Sequence, residues 1–98
     1  METYRQGDLL FRRVENLPQD LLEVTDKIIL RGESTGHAHR LQNGKLFKDK
    51  NDAMFFMIPK FGVIAHGEHN PIKLNKGVYA VIRQREYTSN DMTKLVVD

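Results

Sequence analysis

All four histidines of this chain fall in two short stretches, His37-Ala38-His39 and His66-Gly67-Glu68-His69. Imidazole is the side chain whose ordinary pKa lets it give and accept protons near neutrality, and in its neutral form it is a good ligand for transition metals. In an extended chain residues two apart point the same way, so His37 and His39 are expected to share one face of a strand, roughly 7 Å apart. Ala38 between them leaves the other face free to pack. His66 and His69 are three apart, a spacing that brings their rings together if Gly67 lets the backbone turn. Two such pairs, and no histidine elsewhere, point to one shared site, provided the pairs meet in space.

Two chemistries compete for it. In the first, His37, His39, His66 and His69 hold one divalent transition metal, with Glu68 as an added carboxylate. In the second, no metal or other cofactor takes part and the imidazoles do acid–base work on a phosphodiester. One ring takes the proton of a ribose 2′-hydroxyl, another protonates the departing 5′-oxygen, and cations stabilise the charge that builds up. The nucleophile lies inside the substrate, already positioned.

The surrounding charge favours the second chemistry. Residues 1–26 carry three basic and six acidic side chains, residues 27–60 seven basic and three acidic, and residues 61–98 five and four. The basic excess thus lies on the segment bearing the first histidine pair, where it attracts an anion. Asn43-Gly44, between His37–Gln42 and Lys45–Asp49, is a strong signal for a two-residue hairpin turn. That register sets Lys48 opposite His39 and Lys50 opposite His37, cations that suit a phosphate and disfavour a metal ion. Arg40 points to the other face. Further on, Arg83, Arg85 and Tyr87 share a strand face and can hold phosphates and stack a base. Tyr79 and Val81 lie on that face too, which also fits a plain amphipathic strand with its apolar half buried.

The elements that must position these residues read as short strands separated by turn residues. Strands are expected over Leu9–Val14, Lys27–Arg31, His37–Gln42, Lys45–Asp49, Met54–Ile58, Val63–His66, Ile72–Leu74 and Val78–Thr88, with Leu95–Val97 as a last edge strand. Turns are expected at Gln6–Asp8, Asn43-Gly44, Pro59–Gly62, Asn75–Gly77 and Ser89–Met92. Residues 19–26 read either as a helical turn or as an extended connection. The expected fold is mostly β, a compact antiparallel sandwich or small barrel of about seven or eight short strands, with residues 1–98 forming a single domain.

Composition narrows the class. At 98 residues the chain has no cysteine, a net charge of +2 and 40% hydrophobic residues. Disulfides and thiolate metal sites are excluded. No apolar leader is visible at the N-terminus, and the longest nearly unbroken apolar run, Ala53–Ile58, is far short of a membrane span. A soluble cytoplasmic protein is expected, with no membrane partner.

Two resemblances bear on function. His37-Ala38-His39 followed by a second histidine cluster partly resembles the cupins, whose strand histidines and a carboxylate bind Fe, Mn, Ni or Zn. The cupin glutamate that follows the first pair is missing here, where the chain reads Arg40-Leu41-Gln42-Asn43-Gly44, and no Pro-x-Gly turn precedes His66. Taken together, Gly36–Leu41, His66–His69 and Arg83–Tyr87, in a small cysteine-free β protein, resemble the small metal-independent ring nucleases of type III CRISPR systems, relatives of which are carried by phages and plasmids. That resemblance implies cleavage of cyclic oligoadenylate or a related small RNA, by a homodimer whose two-fold axis suits a ring-shaped ligand. The residue-based expectation is a metal-independent phosphodiesterase with His37, His39, His66, His69 and Lys48 as catalytic groups. Arg40, Lys50, Arg83, Arg85 and Tyr87 are the expected substrate-binding groups. The alternatives are a cupin-like metalloprotein and a non-catalytic β module that binds a nucleotide or RNA.

Overall fold

The computed structural model describes residues 3–31, 38–67 and 69–83. The expected edge strand at 95–97 therefore lies outside the described residues, as do His37, Glu68, Arg85 and Tyr87.

Eight strands run in chain order: β1 (Thr3–Gln6), β2 (Leu9–Val14), β3 (Leu22–Glu23), β4 (Ile28–Arg31), β5 (Ala38–Gln42), β6 (Lys45–Lys48), β7 (Met54–Ala65) and β8 (Ile72–Arg83). They form one antiparallel sheet in the order β1-β2-β8-β7-β5-β4, with β6 also on β7 and β3 on β6. The sheet curls into a half-barrel, and no helix occurs among the described residues. Leu9, Phe11, Leu41, Leu46, Phe56, Ile58, Ile64, Leu74 and Tyr79 fill its concave side. Period-two alternation is visible where it matters. Phe56, Ile58 and Ile64 of β7 are buried while Phe55, Met57 and Val63 on the other face are only half-buried. Phe56 stacks on Tyr79 at 5.1 Å and meets Phe11 edge-on at 5.6 Å, tying β7, β8 and β2 into one core.

Three of the expected turns are not turns. Asn43-Gly44 does not close a hairpin: β5 and β6 do not pair with each other but lie end to end along β7, Gln42 opposite Val63 and Lys45 opposite Met57. A two-residue type I′ turn needs positive φ at both central residues. Here Asn43 has it (63°) and Gly44 does not. Glycine is needed at 44 for room, since a Cβ there would lie 2.8 Å from the Met57 carbonyl oxygen. Pro59-Lys60 likewise does not end a strand. It is a bulge inside β7, where the register with β8 shifts between Ile58↔Gly77 and Phe61↔Asn75. A bulge tolerates proline because it breaks the ladder anyway. Asn75–Gly77 sits inside continuous β8, directly across from that bulge. Irregular positions on three adjacent strand lines thus fall side by side and form a crease across the sheet.

The crease overturns the expected register. Lys48 pairs with Met54 at the start of β7, whereas Arg40, next to His39, pairs with Ala65 at its end. The hairpin that would set Lys48 opposite His39 and Lys50 opposite His37 does not form.

Candidate functional site: a three-histidine cluster

β5 lies between β4 and β7, and its alternation turns His39 inward beside Leu41, so His39 is buried at 4% exposure. β7 ends one residue before His66, alongside the start of β5, and this pairing brings the two histidine stretches together. The His39 and His66 ring centroids are 4.3 Å apart, His66 and His69 4.6 Å, and His39 and His69 6.3 Å. The His69 backbone N–H donates to His66 Nδ1 at 3.2 Å, which holds the tight bend through Gly67. The three rings step from the interior to solvent: His39 buried, His66 half-buried, His69 exposed.

The β1–β2 hairpin closes the cluster from the far side of the sheet. Gln6, buried at 3%, is a residue sequence reasoning passed over as part of a turn. Its amide Nε2 donates to the Ile64 and Asn70 carbonyls, both at 2.9 Å, which leaves Oε1 facing His39 Nδ1 at 2.7 Å. An amide oxygen can only accept, so His39 Nδ1 carries a proton and the neutral ring has its lone pair on Nε2. His66 has the complementary tautomer. Its Nδ1 accepts from the backbone, so its neutral ring carries the proton on Nε2. Gly7, at φ 63°, lays bare backbone against the rings, and a Cβ there would come within 3.0 Å of His69 Nε2 and 3.5 Å of His39 Cε1.

Electrostatics separate His39 from an ordinary histidine. Burial, and then the neighbouring His66, hold its pKa down at about 4, Asp8 pulling the other way and His69 adding a smaller push down. At neutral pH His39 is a neutral ring. Asp8 in turn lies 3.8 Å from Arg83 Nε. Arg83 ends the inward face of β8 that also carries Tyr79 and Val81, and Tyr79 is wholly buried in the core. The plain amphipathic reading of this strand is therefore right for Tyr79. Arg83 reaches the histidine end through Asp8.

Of the expected site residues, the fold brings together His39, His66 and His69, with Arg83 joined through Asp8. Arg40 is exposed on the opposite face of β5, next to the cluster in sequence but turned from it, as its register predicts. Lys48 is exposed and lies 3.9 Å from Asp52. His37, Arg85 and Tyr87 lie outside the described residues. Among the described residues no group of three or more histidine, aspartate or glutamate side chains is disposed to hold a metal ion. His66 Nδ1 is occupied by a backbone amide, so His66 would have to ligate through Nε2 after giving up its proton.

A family model for a domain of unknown function, DUF8820, matches residues 5–84 and so spans every one of these groups from Gln6 to Arg83. The chain belongs to the DUF8820 family. No curated protein and no solved structure is significantly similar to it. No helix among the described residues of this DUF8820 chain is long and apolar enough to cross a membrane.

Proposed function

We propose that this DUF8820 domain is a phosphodiesterase that opens cyclic oligoadenylate, or a related small RNA, by histidine acid–base catalysis. The observation that carries the reading is the fixed tautomer of His39, which offers a lone pair on Nε2 beside two further imidazoles. In this reading His39 Nε2 takes the proton from a ribose 2′-hydroxyl. The freed 2′-oxygen bonds to phosphorus, and the 5′-oxygen leaves with a proton from the imidazolium form of His69, or of His66 once its Nδ1 is released from the backbone amide. The products are a 2′,3′-cyclic phosphate and a 5′-hydroxyl. His39's lowered pKa keeps it unprotonated at neutrality, at the cost of some basicity. Exposed His69 is suited to exchange protons with water through His66. Arg83, tied to the cluster by Asp8, replaces Lys48 as the candidate phosphate-stabilising cation. A homodimer would offer two such clusters to a ring-shaped ligand.

The test is incubation of the purified chain with cyclic oligoadenylates of several ring sizes, with and without EDTA, followed by chromatography. Linear products ending in a cyclic phosphate, formed equally with EDTA, are expected. His39→Ala, His66→Ala and His69→Ala are each expected to slow the reaction, at least one by ~10²-fold or more. Rings left intact by the EDTA-treated protein sink the proposal. Activity restored by one added metal favours the metalloenzyme instead, and tight binding without cleavage favours the binding module.

A further inference from the structure

On the convex side of the crease lies an open trough of about 650 Å³, facing away from the histidine cluster. Met57, Pro59 and Phe61 form its apolar floor, and Lys27, Lys45 and Lys60 stand around it. Phe61 is 60% exposed, an uncommon setting for a phenyl ring on a small domain. Among the described residues, no acidic side chain lines the trough and none of the three lysines has an ion-pair partner. Lys27 stands out in its backbone as well. Apart from glycine, the described residues with positive φ are asparagine, aspartates and this one lysine, at 59°. Left-handed backbone disfavours a lysine, so its presence at this position, where its carbonyl accepts from the Leu41 N–H at 2.9 Å, points to a use for its ammonium group.

We propose that this trough is a second binding site, for a nucleoside polyphosphate. The base stacks on Phe61 against Met57 and Pro59, and the phosphates span the lysines. An exposed aromatic floor suits a flat π-face, and three unpaired ammonium groups suit a ligand with several negative charges better than the single carboxylate of a fatty acid. The site owes nothing to the histidines, so it stands or falls apart from the proposed phosphodiesterase.

ATP, adenosine and inorganic tripolyphosphate are titrated separately into the full chain by calorimetry, and the contact surface is mapped by NMR. ATP is expected to bind at least tenfold more tightly than either fragment, shifting the amides of Gly44, Met57 and Phe61. Phe61→Ala is expected to reduce ATP affinity to that of tripolyphosphate, and Lys45→Glu with Lys60→Glu to that of adenosine. His39→Ala is expected to leave ATP binding unchanged. Phe61, Lys45 and Lys60 are exposed whereas His39 is buried, and a melting curve checks that every variant folds. The proposal is overturned by tripolyphosphate binding as tightly as ATP, by adenosine doing so, by no ATP binding, or by shifts at Gly7 and His69 instead. Self-association abolished by Phe61→Ala also overturns it, since the trough is then a contact between copies of the chain.

Discussion

Gln6 Oε1 lies 2.7 Å from His39 Nδ1, so a strand at the beginning of the chain sets the protonation pattern of a ring in its middle. The same amide ties down Ile64 and Asn70 through their carbonyls. Gln6→Leu therefore strands one buried donor and two acceptors. It is expected to cost about 2–3 kcal/mol in denaturant unfolding. Gln6→Glu is expected to move the His39 pKa upward, because a carboxylate beside Nδ1 favours the protonated ring; an NMR titration of the imidazole reads this directly.

Stability is expected to fall as the solution is acidified from about pH 6.5 to 4. His39 titrates at about 4 in the folded chain against an ordinary value of 6.5, so between those values the unfolded chain binds the extra proton. The contribution is complete above pH 6.5, is lost as pH falls through that window, and does not change further below 4. Its size is of the order of 3 kcal/mol. Comparing urea unfolding of the native chain and of His39→Gln at pH 7 and pH 4.5 isolates it, and an identical pH dependence in the two would contradict the assignment.

Asp8 favours the protonated form of His39 and also lies beside Arg83. Asp8→Asn is expected to lower the His39 pKa further, again by NMR titration. The variant also frees Arg83 from its carboxylate, so in the phosphodiesterase assay its effect separates a role for Asp8 in holding the arginine from one in tuning the ring.

Lys48→Ala is expected to leave cleavage of any oligonucleotide substrate within about twofold of the native rate. Lys48 pairs with Met54 instead of facing His39, and its ammonium group lies 3.9 Å from the Asp52 carboxylate. A large loss would restore the hairpin register that the sheet pairing contradicts.

Gly44→Ala is expected to destabilise the fold by about 2 kcal/mol, as the new methyl group would meet the Met57 carbonyl at 2.8 Å. Gly62→Ala, whose methyl would lie 3.0 Å from the Gln42 carbonyl on the same crease, should behave similarly. Thermal melts of both variants check this.

Much of the fold was legible from local pattern. Leu9–Val14 reads as a strand and is one, and the histidine pairs read as a shared site and do converge in the three rings described. What misled was punctuation. Asn43-Gly44, Pro59 and Gly77 signal an unusual backbone, but a crease and a turn ask for the same unusual backbone, and only pairing across the sheet distinguishes them. Placing Lys48 depended on that distinction. Gln6 was missed for another reason. A glutamine five residues from the N-terminus gives no local sign that it will be buried, because its three hydrogen-bond partners lie far along the chain.

β2 is joined to β8 with Leu9 opposite Arg83, a pairing that closes a loop over most of the described residues. The β1–β2 and β7–β8 hairpins need only near neighbours to form, but Gln6 meets His39 only after this closure, the entropically dearest step in the topology. A nascent or partly unfolded chain can thus carry every histidine and still lack a ring with a defined tautomer. The chemistry of this cluster switches on with the joining of β2 to β8.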